Sequence, residues 1–176
     1  MKIMKSILQP ITLGIALIAG GNVYAAPPAR VENLCRPDEV VLFQCKLKTR
    51  LLSLCASKDI SPTAGKLQYR FGTPQKIELT YPKTPQAAAG NFFISAVMYD
   101  GGNETHIRFN NKGFDYILFD KSVRTGLNGN NNPTLSSGAV IRRDGKISAL
   151  NCLNNASMTV KVHGIMPIEE FDYVDQ

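Results

Sequence analysis

The stretch Lys66-Leu67-Gln68-Tyr69-Arg70-Phe71-Gly72-Thr73-Pro74-Gln75-Lys76-Ile77-Glu78-Leu79-Thr80-Tyr81-Pro82 decides the fold class. Leu67, Tyr69 and Phe71 alternate with polar residues up to Gly72, and Ile77, Leu79 and Tyr81 do the same up to Pro82. Apolar residues at a period of two, with aromatic and β-branched types among them, specify strands with one face buried. Gly72-Thr73-Pro74-Gln75 supplies the turn between them. Such a hairpin has one apolar face and needs a second layer to bury it.

Working outward, the same pattern recurs on both sides. Val40 to Lys46 and Leu51 to Ala56 precede it, around Lys48-Thr49. After a Pro/Ala connection over 82–90, Phe92 to Tyr99 is apolar enough for a strand buried on both faces. Asp100-Gly101-Gly102-Asn103 turns the chain into Thr105 to Phe109, and Asn110-Asn111-Lys112-Gly113 turns it again into Phe114 to Phe119. Ala139 to Arg142 and Lys146 to Leu150 flank Arg143-Asp144-Gly145, and Ser157 to His163 forms a last run with Met158, Val160 and Val162 on one face. About ten short strands with turns between them predict an all-β fold, an antiparallel β-sandwich or barrel. Two segments depart from the pattern: the Gly/Asn-rich stretch Gly126 to Gly138, read as a long loop that is flexible or functional, and the acidic stretch Pro167 to Gln176, read as a loose end or a segment that docks on a basic partner or on the protein's own basic body.

The first residues carry a different signal. Lys2 and Lys5 precede the apolar run Ile11 to Gly21, and Tyr24-Ala25-Ala26-Pro27-Pro28 follows it. A basic start, a short apolar middle and a small-residue end predict a secretory signal peptide, residues 1–25, cleaved after Ala25. The run is shorter than the roughly 20 residues a spanning helix needs, so no integral membrane anchor is expected after cleavage. The expected organisation is a signal peptide (1–25), an N-terminal extension (26–38), a single β domain (39–165) and an acidic C-terminal tail (166–176), located in the periplasm or secreted. The whole chain has 176 residues and a formal charge of +6. Removing 25 residues that hold two Lys and no acid leaves 151 at +4. With Glu169, Glu170, Asp172 and Asp175 gathered at the C-terminus, the body before them is basic, which suits ordinary solubility, an anionic surface or an acidic partner.

Four cysteines in an exported chain, Cys35, Cys45, Cys55 and Cys152, are read as two disulfides. Three pairings are possible. In Val40 to Lys46 the odd positions Val41, Phe43 and Cys45 read as inward, whereas in Leu51 to Ala56 the even positions Leu52, Leu54 and Ala56 do. That parity places Cys45 and Cys55 on opposite faces, disfavours their union and leaves Cys35 or Cys152 as the partner of Cys55. No C-x-x-C occurs and neither His106 nor His163 is spaced as a finger ligand, so no metal site is expected.

Catalytic signatures are sparse. Only His106 and His163 offer conventional bases; His106 is read as a solvent-facing strand residue opposite Thr105, Ile107 and Phe109. No G-x-S-x-G occurs, and Gly101-Gly102 and Gly126-x-x-Gly129 lack the context of a phosphate-binding loop. No catalytic residue and no cofactor is therefore expected. A paired-carboxylate hydrolase leaves no short signature and stays open as an alternative. Tyr69, Phe71, Phe109, Phe114 and Tyr116 beside Arg70, Arg108 and Lys112 superficially suit a single-stranded nucleic acid, but their alternation reads as core and export argues against that partner.

Phe43-Gln44-Cys45, Leu52-Ser53-Leu54-Cys55-Ala56-Ser57, Leu67-Gln68-Tyr69-Arg70-Phe71-Gly72, Ile77-Glu78-Leu79-Thr80-Tyr81-Pro82 and Tyr99-Asp100-Gly101-Gly102 together resemble a family of small exported bacterial proteins, across most of residues 35–152. The resemblance implies export and brings no activity with it. A looser likeness, in size, export and disulfide-bonded β architecture, is to periplasmic lysozyme inhibitors. The expectation is a non-enzymatic binding module that engages an envelope protein or other extracytoplasmic ligand, in the manner of a hydrolase inhibitor or immunity protein. The alternatives are an envelope hydrolase with dispersed carboxylates and a structural or surface-interaction protein.

Overall fold

The computed structural model describes residues 33–124, 131–154, 156, 158, 159 and 162–173. The predicted signal peptide with its cleavage point after Ala25, and the middle of the Gly/Asn-rich stretch, lie outside these residues. The described chain is all-β, with nine strands in two antiparallel meanders. The first sheet has the order β1 (Glu39–Lys46), β2 (Leu51–Ser57), β3 (Leu67–Thr73) and β4 (Lys76–Gln86). The second has the order β5 (Phe93–Tyr99), β6 (Gly102–Asn111), β7 (Phe114–Val123), β8 (Thr134–Arg143) and β9 (Lys146–Asn151). Every strand pairs with its sequence neighbour within a sheet, which short turns allow without a crossover. Lys112-Gly113 and Asp144-Gly145 both have positive φ at each of the two positions, 55° and 81° in the first turn and 50° and 74° in the second, as tight hairpins demand.

One core lies between the sheets. Leu52, Leu54, Leu67 and Tyr69 from the first join Ile107, Phe109, Leu118 and Ala139 from the second, with Val162 and Met166 in the same cluster. Phe109 is stacked between two tyrosines, 4.6 Å from Tyr81 across the sheets and 4.8 Å from Tyr116 on its own sheet. Cys45 is joined to Cys152, just beyond β9, so a disulfide also links the two layers. Residues 153 and 154 bond Lys46 of β1 through the Leu153 amide and the Asn154 side chain, which covers that strand's edge.

The strand reading needs four corrections. Ser157 to His163 forms no strand among its described residues; Thr159 donates its amide to Leu42 and the chain turns at Val162. Thr134 to Gly138 is the first half of β8 rather than loop, because β7 runs on to Val123 and offers it a partner. Val41 faces outward: the ladder shifts between Val41 and Phe43, so Val40 takes the inward position opposite Ala56. β5 is an edge strand, covered on both faces only in its first half; Ala96 and Met98 are exposed.

Candidate functional site

The outward faces of the two sheets are where the molecule departs from a plain sandwich, since each is crossed by an end of the domain. On the first sheet, residues 33–38 lie over β2 and β3. Cys35 is joined to Cys55, the pairing that the parity argument left open, and the Leu34 amide donates to the Ser53 hydroxyl at 3.0 Å. Beneath this segment Arg70 points outward yet is buried. Its guanidinium donates to both oxygens of Glu39 at 2.6 Å, to the Leu34 carbonyl at 2.9 Å and to Gln68 Oε1 at 2.9 Å. Burial alone would raise the Glu39 carboxyl, but the Arg70 bonds and the Arg36 amide hold it below the ordinary range. Cys35, Glu39 and Cys55 place potential ligand atoms within 4.8 Å of one another. The two sulfurs are joined to each other and the carboxylate is committed to Arg70, so the trio is a structural clasp.

The second sheet's outward face is different in kind. Its register aligns Phe93, Arg108, Ile117 and Val140 in one row across β5 to β8. The next row is Ser95, His106, Phe119 and Gly138, and the row after it is Val97, Glu104, Lys121 and Ser136. Ile117, Phe119 and Val140 form a second apolar cluster, separate from the main core and fully buried. Gly138 is needed there, because a Cβ at that position would sit 2.8 Å from the Phe119 ring and 2.1 Å from the Leu150 carbonyl.

Residues 167–173 lie on this face. Ile168 bridges to Ile94 in parallel, with the Ile94 amide donating to Pro167 and the Glu169 amide donating to Ile94, both at 2.9 Å. The chain then crosses the face. Glu169 accepts two-pronged hydrogen bonds from Arg108 at 2.5–3.0 Å, Phe171 stacks on His106 at 4.3 Å, and Asp172 pairs with Arg142 at 2.7 Å. Arg108 also lies over the Phe93 ring at 4.9 Å, and Asp115 stands beside both arginines at 3.5 and 3.7 Å. Hydrogen bonding to Glu169 raises Arg108 further, and hydrogen bonding to Asp172 does the same for Arg142, so both keep their charge.

His106 is thus not solvent-facing. It points away from the main core, as its alternation with Ile107 and Phe109 requires, but Phe171 lies on its ring and leaves it 2% exposed. Its Nε2 is 2.9 Å from Glu104 Oε1. Glu104 is also buried, and receives the Tyr99 hydroxyl at 2.7 Å and the Lys121 ammonium at 3.1 Å. Burial pushes its carboxyl up, and these three donors together outweigh that and hold it below the ordinary range. Tyr99, desolvated and bonded to the same carboxylate, is pushed up to about 12.

A carboxylate orienting an imidazole is the base half of a hydrolytic triad. Here the imidazole face is covered by Phe171, and the neighbouring residues of β5, β6 and β7 are paired in a regular ladder. The clefts tell the same story. One, at the β5–β6 turn, is lined by Met98, Tyr99, Asp100, Asn103, Ser122 and Arg124 and offers one acid; another holds Asp38 and Glu39, and Glu39 is spent on Arg70. What lies on the second sheet's outer face is the chain's own acidic segment 169–172.

No family model, curated protein or solved structure matches this chain in the comparisons made.

Sequence reasoning named the disulfide cysteines and offered docking of the acidic stretch on the protein's own basic body as one alternative, but it did not name the residues of this face. The signal was present: Ile117-Leu118-Phe119 is apolar at consecutive positions, so both faces of β7 need cover, and the acidic stretch Ile168 to Tyr173 carries the aromatic and the carboxylates that match Arg108, Arg142 and His106.

Proposed function

We propose that this chain is an exported, non-enzymatic binding module that holds a partner protein of the cell envelope, in the manner that its likeness to lysozyme inhibitors implies. Two disulfides support an oxidising, extracytoplasmic compartment, and the leader-like sequence of residues 1–25 supports export to the periplasm or beyond. The observation that carries the reading is the cationic, aromatic outer face of the second sheet, seated with an extended peptide of complementary charge. Rigid strands supply the anchors, which favours recognition over chemistry. Glu169 and Asp172 are spent on the protein's own arginines, so a cationic hydrolase finds little attraction here, and an acidic stretch of a partner would have to take their place on Arg108 and Arg142.

The test is capture of envelope proteins on the immobilised mature chain. The interaction with each purified partner is then measured by calorimetry, and its wall-degrading activity is followed with and without the chain. A saturable one-to-one complex at micromolar affinity or tighter is expected. Absence of any saturable partner, or turnover of a wall substrate by the chain itself, would overturn the reading.

A further inference from the structure

We propose that the outer face of β5 to β8 is a recognition groove for an extended segment of the pattern acid, any residue, aromatic, acid, and that the chain's own residues 169–172 occupy it in cis as a displaceable placeholder. This rests on the binding-module reading and names the partner's chemistry. The four anchor positions are visible in the tail itself: Glu169 on Arg108, Phe171 on His106, Asp172 on Arg142, and the preceding backbone paired to the edge of β5 at Ile94.

Two observations argue that the occupant is exchangeable rather than a permanent part of the fold. No disulfide ties the tail, whereas the segment across the other sheet is fixed through Cys35 to Cys55. The tail's fit is also incomplete, since Ile168 and Tyr173 remain 84% and 72% exposed. A partner segment that repeats the four anchors and buries an apolar residue at either flanking position gains contact that the cis segment leaves in water. The anchors also have partners within their own sheet, since Arg108 lies over Phe93, Asp115 stands beside both arginines, and Glu104 bonds His106. A groove whose anchors are held in place by their own sheet is preorganised for a second ligand.

The experiment uses the mature full chain carrying Glu169→Gln and Phe171→Ala, which frees the groove without shortening the protein. A fluorescently labelled peptide Pro167 to Tyr173 is titrated by anisotropy, with a scrambled peptide of the same composition as control. The freed chain is expected to bind the peptide at least about tenfold more tightly than wild type, and Arg108→Ala added to the freed chain is expected to remove that binding. The scrambled peptide is expected to bind weakly. Equal binding of native and scrambled peptides, or no binding by a freed chain whose circular dichroism matches wild type, would overturn the groove. The two readings fail separately: peptide binding without any envelope partner overturns the module but keeps the groove. A partner that binds wild type, freed and Arg108→Ala chains alike overturns the groove but keeps the module.

Discussion

The two ends of the domain do the same structural job by opposite means. Residues 33–38 cover the first sheet and are fixed by Cys35 to Cys55 and by a buried Arg70 whose donors are taken up by Glu39, Leu34 and Gln68. Residues 167–173 cover the second sheet with two half-exposed ion pairs, one stacked ring and one bridge to an edge strand. A covalent clasp limits how far a segment can move even when its contacts break, because the chain entropy gained on release is small. A segment held only by salt links and a ring opens at a fraction of the global stability. The molecule therefore has one closed face and one that can be vacated.

Breaking the closed side should have the largest effect. Arg70→Ala strands Glu39 and two acceptors beneath residues 33–38, and about 3–5 kcal/mol of stability is expected to be lost in a urea titration. Replacing Cys35 and Cys55 by Ser removes a cross-link over a sequence separation of 20 and should cost about 3 kcal/mol. On the open side, Phe171→Ala uncovers the His106 ring; a loss of about 1–2 kcal/mol is expected, together with new binding of an apolar dye to the folded protein. The smallest effect belongs to pH. Glu39 and Glu104 both have folded pKa values below their unfolded ones, so their stabilisation is complete above the ordinary carboxylate range and is lost as pH falls through the folded values. Thermal melts should hold steady from neutral pH to about 5 and decline below it. Glu104→Gln should flatten part of that decline.

Much of this architecture was legible because sheet formation is written locally. Alternation in Lys66 to Phe71 and Lys76 to Tyr81, and the Asp144-Gly145 turn, specify β3, β4 and the last hairpin without reference to the rest of the chain. Parity along β1 and β2 separated Cys45 from Cys55, and it survived the bulge at Leu42 because the bulge precedes Phe43. The faces away from the core were not legible in the same way. Arg70 and His106 sit at positions whose alternation says solvent, and their burial depends on segments 31 to 65 residues away in sequence. Ser157 to His163 misled because an alternating run becomes a strand only with a neighbour to pair along its length, and its described residues bond instead through the Thr159 amide to Leu42 and the Val162 amide to Thr159.

Native-state hydrogen exchange on the mature protein tests the asymmetry between the two ends most directly. The Glu169 amide, bonded to Ile94, and the Ile94 amide, bonded to Pro167, should exchange through a local opening well below the global unfolding free energy. The Leu34 amide, bonded to Ser53 beside the clasp, should exchange only with global unfolding. Equal protection of all three amides, or stronger protection at Glu169 than at Leu34, would contradict the account.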